Sequence, residues 1–149
     1  MHFMFNRNWL VFIFLLGLLA CSKEKQEYDS APTLEFISVS PSTANAQQDS
    51  IIFKIKYFDG DGDLGANSPN AKNLFLIDSR IHLSDGYRIS QLAPSGAAIP
   101  IQGTLDVVLS NVALTDSSNQ QTATFSIYVV DRAGHISNTV TSPVVTINK

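Results

Sequence analysis

The chain has 149 residues, 44% of them hydrophobic, with 13 acidic side chains against 10 lysines and arginines and a formal net charge of −3. That length allows one domain with a well-buried core, and mild acidity without a basic cluster argues against nucleic acid and against electrostatic binding to anionic lipid. A single cysteine excludes an intrachain disulfide, so the core must hold itself together.

Residues 1–20 place Arg7 as a positive n-region before an apolar run from Trp9 to Leu19, the layout of a secretory signal and too short for a membrane-spanning helix. The run closes on Leu18-Leu19-Ala20-Cys21. This tetrapeptide resembles the bacterial lipobox, and the resemblance implies that Cys21 is the lipid attachment site, carrying palmitate-type acyl chains as the new N-terminus. Each buried methylene contributes about 0.8 kcal/mol and stable anchoring takes more than one chain. The expected address is therefore the outer membrane or cell surface, with the membrane held through lipid and not spanned. Residues 21–32 follow as lipidated cysteine and tether: Ser22 to Pro32 is polar, charged and has almost nothing to bury. Lysine and glutamate directly after the cysteine, in Ser22-Lys23-Glu24-Lys25, also resemble the export signals of Bacteroidetes-type lipoproteins.

From residue 33 onward the apolar residues recur with a period of two, and no stretch holds a helical period. The clearest predicted strand is Ile51 to Phe58, with Phe53, Ile55 and Tyr57 on one face and Lys54 and Lys56 on the other. Leu34 to Val39 precedes it and changes phase between Phe36 and Ile37, which predicts a bulge or a switch of sheet. Asn73 to Asp78, Arg80 to Leu83 and Thr104 to Leu109 follow as shorter strands. Ala123 to Val130 alternates Phe125, Ile127 and Val129 with Thr124, Ser126 and Tyr128. Thr139 to Ile147 closes the series, with Pro143 marking an edge position where no amide hydrogen is needed. About seven strands bounded by Gly, Pro, Asn, Asp and Ser predict an all-β fold, a single antiparallel sandwich over residues 33–149, with a small barrel as the structural rival.

The opening Ala31-Pro32-Thr33-Leu34, the long second strand and the late Val130-Asp131-Arg132-Ala133-Gly134-His135 resemble bacterial immunoglobulin-like domains, including their cadherin-like and fibronectin-type relatives. The last segment is similar to a Val-x-Asp-x-Ala-Gly-Asn turn between the two final strands, with His135 in place of Asn. The resemblance implies an immunoglobulin-like sandwich without the inter-sheet cysteines and core tryptophan of antibody domains, because the only tryptophan, Trp9, lies in the leader. Fold alone does not specify function.

Asp59-Gly60-Asp61-Gly62-Asp63-Leu64-Gly65 is the one constellation with site chemistry. Three carboxylates at this spacing repel one another unless hydrated or neutralised, and hard oxygen ligands at such density favour Ca²⁺. An EF-hand loop starting at Asp59 would need glycine at Leu64 and glutamate at Asn70, so the loop would have to be completed from elsewhere. In a sandwich the loops after the second and sixth strands emerge at the same end, which brings Asp131 to the loop and the tether end near Asp29 close by. The predicted metal ligands are Asp59, Asp61, Asp63 and Asp131, with Asn67 or backbone carbonyls as supplements; a plain solvated turn is the rival reading.

No feature of the sequence matches a catalytic motif. His82 and His135 lack metal-ligand spacing, no serine stands in a nucleophile motif, and no glycine-rich loop precedes a helix. A non-enzymatic, membrane-anchored binding module follows, stiffened by calcium and taking a protein or glycan through loops or an edge strand; Gly86-Tyr87-Arg88 puts an aromatic and a cation in one such loop. An accessory carbohydrate-capture or secretion and assembly lipoprotein is the alternative. Exposed aromatics on a sheet face would favour glycan capture and an uncovered edge would favour strand pairing.

Overall fold

A computed structural model describes residues 28–149, so the expected leader, Cys21 and most of the expected tether lie outside the described residues. Ten strands run in the order β1 (Thr33–Ser40), β2 (Thr43–Asn45), β3 (Ile51–Asp59), β4 (Leu74–Asp78), β5 (Ser84–Tyr87), β6 (Ile101–Leu109), β7 (Gln120–Ala123), β8 (Phe125–Val129), β9 (Val140–Thr141) and β10 (Val145–Asn148). They form three sheets, ordered β1-β3-β6, β5-β4-β8-β9 and β2-β10-β7. Among the described residues the fold is all-β and open, with no barrel closure.

β3 forms because strict alternation gives it one apolar face: Ile51, Phe53, Ile55 and Tyr57 are buried while Ile52, Lys54 and Lys56 are exposed. Its flanks are antiparallel, β1 on one side and β6 on the other. Phe53 meets Phe125 of β8 with ring centroids 5.0 Å apart, so the β1-β3-β6 and β5-β4-β8-β9 sheets face each other across a shared core. Leu74, Leu76, Ile127 and Val129 from the second sheet and Val145 and Ile147 from β10 complete it. The phase change in β1 is a bulge at Ile37, where the register with β3 slips between Phe36 and Ser38 and leaves Ile37 exposed.

The strand count exceeds the seven expected because two predicted strands are each divided between sheets. Ala123 to Val130 breaks at Thr124, where the Thr124 amide donates to Ser79 Oγ and the chain leaves β10 for β4. Thr139 to Ile147 breaks around Pro143, and Ser142 Oγ accepts the Phe125 amide at the crossing. β2 is three residues long and pairs in parallel with β10, too short for periodicity to reveal.

Arg80 to Leu83 is a turn and not a strand. Asp78 takes both the backbone amide of Arg80 at 2.9 Å and its guanidinium, Nη2 lying 2.6 Å from Oδ2, which folds the chain back, and His82 adopts φ 53°. The following strand is therefore β5, and Tyr87 lies within it as a half-buried edge residue packed on the core instead of in a binding loop.

Candidate metal centre

β3 ends on Asp59 and β8 ends just before Asp131, so both chains deliver a carboxylate to the same end of the molecule. The loops that follow are clipped together: the Ala133 amide donates to Asp63 Oδ2 at 2.9 Å, and Arg132 Nη1 donates to the Gly65 carbonyl at 2.9 Å. Gly62 is at φ +74° with its α-carbon against the Ile99 carbonyl, a close approach that any β-carbon would block. Leu64, inside this polar loop, is wholly buried and anchors it to the core.

One carboxylate oxygen from each of Asp59, Asp61, Asp63 and Asp131 lies within 4.8 Å of all the others. The cluster could hold a metal ion. The four predicted ligands are thus brought together by the fold, and Asp131 joins the loop from a segment more than sixty residues away as the topology requires. Asn67 is exposed, and its backbone carbonyl accepts from Arg88 Nη1.

Each carboxylate of the loop keeps one oxygen out of reach of solvent. Asp59 Oδ2 accepts the Leu64 amide at 2.7 Å, and Asp63 Oδ2 accepts the Ala133 amide. Asp59 Oδ1, Asp61 Oδ1 and Asp63 Oδ1 are shielded from solvent and receive no hydrogen bond within the protein. A buried acceptor without a donor costs roughly 1–3 kcal/mol, and more when charged. Four carboxylates brought this close, three of them with such an oxygen, are an arrangement that a cation would satisfy and that nothing else among the described side chains does.

Electrostatics record the strain. Burial first, then the charges of Asp61 and Asp63, push the Asp59 carboxyl up to about 6, against the Leu64 amide that favours its charged form. Asp63 is raised by burial and by the charges of Asp131 and Asp61. His135 was not expected at the site: its backbone amide donates to Asp131 Oδ1 at 2.8 Å and its Nδ1 lies 2.9 Å from Oδ2. That hydrogen bond, with the Asp131 charge, raises the imidazole above its ordinary value. His135 orients Asp131 much as an outer-shell partner orients a ligand.

All three shifts have the same sign. A group whose folded pKa lies above its unfolded value stabilises the fold below the unfolded pKa, and that contribution is lost as pH rises through the folded pKa. Through Asp59 and Asp63 the protein in chelator is therefore expected to lose melting temperature as pH rises from 4 to 7, by roughly 5 °C or more, the His135 contribution being lost only above 6.5, and calcium is expected to flatten that decline by replacing the proton. Melting curves across this range, with chelator and with calcium, check both slopes.

Compared with protein-family models, curated proteins and solved structures, the chain matches none.

Proposed function

We propose that this protein is a lipid-anchored surface or envelope lipoprotein whose single immunoglobulin-like sandwich is a non-catalytic binding module stiffened by Ca²⁺. The observation that carries the calcium reading is that the four carboxylates come together within 4.8 Å while three of them keep a buried, unpartnered oxygen. Two ligands on opposite sides of a calcium ion lie about 4.8 Å apart, and six to eight oxygens at about 2.3–2.6 Å suit a loop of alternating glycines better than the strict octahedron of magnesium does. An ion held by carboxylates from the end of β3 and the turn after β8 would tie the two sheets together, which is a structural role and not a catalytic one.

The sandwich reading is supported by a sheet of the first, third and sixth strands facing one that carries the fourth, fifth, eighth and ninth. Lipid attachment at Cys21 rests on the Leu18-Leu19-Ala20-Cys21 tetrapeptide. Partner binding through an edge is supported by β6, nine residues long and bonded only to β3 among the described strands. Beside it an apolar groove of about 440 Å³ is lined by Leu74, Ile89, Leu105 and Val107. The same edge favours the assembly form of the alternative reading, since an extended segment could add to β6. Glycan capture is less well supported: Phe75 and Tyr128 share the outer sheet face but stack on each other, 4.9 Å between centroids and 14° between planes, so each covers a face the other would offer a sugar.

Calcium titration of the full chain in detergent tests the reading, with magnesium as the comparison. Saturable calcium binding at or below millimolar concentration is expected, with magnesium binding more weakly.

A further inference from the structure

We infer that the cation site also orders the segment by which the domain joins the preceding chain, residues 28–32, so that calcium and this segment hold the acidic loop cooperatively. The inference rests on the calcium reading and deepens it.

Gly60 stands between Asp59 and Asp61, and the entering chain is laid directly on it. A β-carbon on Gly60 would collide with the Asp29 carbonyl oxygen and lie 2.6 Å from Tyr28 Cβ. The Tyr28 ring continues the contact edge-on against Phe58, with centroids 5.3 Å apart. Asp29 Oδ1 accepts the Ala31 amide at 3.0 Å, and Pro32 is fully buried. The floor of the tether junction and the backbone of the cation loop are therefore the same residues.

That the loop takes a ligand has its own support in Asp59, whose side chain is wholly buried and whose Oδ1 has no partner. Without a cation, repulsion among the carboxylates would favour their spreading, and residues 60–62 are the backbone that links them. Tyr28, 40% exposed, meets that backbone only at Gly60 and the neighbouring Phe58. With a cation the loop closes and presents Gly60 as a fixed surface. Coupling of this kind is reciprocal, so whatever calcium contributes to ordering residues 28–32, the Tyr28 contact contributes to calcium affinity.

Hydrogen exchange read by mass spectrometry on the full chain, in millimolar calcium and in chelator, tests the coupling, with calorimetry on the same samples. Amides of residues 29–34 are expected to exchange about tenfold more slowly in calcium while those of β4 are unchanged, and Tyr28→Ala is expected to weaken calcium binding several-fold, roughly within the ordinary range of coupling energies. Saturable calcium heat with unchanged exchange in residues 29–34 would overturn the coupling and leave the calcium site standing. Unchanged calcium affinity in Tyr28→Ala would count against it in the same way. No calcium heat would overturn both.

Discussion

Asp59→Asn is expected to melt higher than the unaltered protein in chelator and lower than it in calcium. The two halves of that crossover have separate causes. At neutral pH Asp59 is an ionised carboxylate whose pKa is pushed up to about 6 by burial and by its acidic neighbours, so its charge opposes folding. The amide keeps an oxygen for the Leu64 amide hydrogen, 2.7 Å away, and can turn a donor toward Asp61, the carboxylate whose charge already favours a proton on Asp59. Removing one charge from the cluster should raise the chelator melting temperature by roughly 2–5 °C. In calcium the comparison reverses, because a ligand at 100 times its dissociation constant stabilises by about 2.7 kcal/mol and the amide gives up most of that. A variant destabilised equally with and without calcium would show that Asp59 acts only as a cap for Leu64.

Cys21→Ser is expected to abolish incorporation of labelled palmitate completely and to leave residues 1–20 attached to the chain, as mass spectrometry would read. If Cys21 is acylated, two or three chains at about 0.8 kcal/mol per methylene supply essentially all the membrane affinity of the mature protein. The melting transition of the domain is expected not to change, since Cys21 stands twelve residues before the first strand opens at Thr33. Loss of the leader from the serine variant would identify residues 1–20 as an ordinary secretory signal and remove the anchor from the proposed function.

Much of the fold was legible because β3 and β8 are half-buried strands whose alternation is strict, and the bulge at Ile37 announced itself as a phase change. What stayed hidden depends on contacts between distant segments. Nothing local in Ala123-Thr124-Phe125 tells that the chain changes sheets there; the break is made by Ser79 and Ser142 arriving from elsewhere. The turn at Arg80 was misread as a strand because its apolar Ile81 and Leu83 alternate, whereas the Asp78 carboxylate decides the backbone through two hydrogen-bonded partners on one side chain.

The site divides in the same manner. Asp59, Asp61 and Asp63 were visible as density of charge, and Asp131 followed from asking which loops share an end of the sheets. His135 was missed, although it stands four residues after Asp131, because its role depends on the turn wrapping back so that backbone and ring both reach one carboxylate. Gly60 reads in sequence as a flexible spacer between acids; the structure makes it the contact point for Asp29, and its lack of a side chain is a packing requirement there.

The central claim is that the four aspartates form a calcium site, and calorimetric titration of calcium into the full chain, beside an Asp61→Ala, Asp63→Ala double variant, addresses it most directly. Saturable binding of one ion, lost in the double variant while the variant still melts cooperatively, is the predicted result. Absence of heat at millimolar calcium, or equal heat in both proteins, would contradict it and reduce residues 59–65 to a solvated acidic turn.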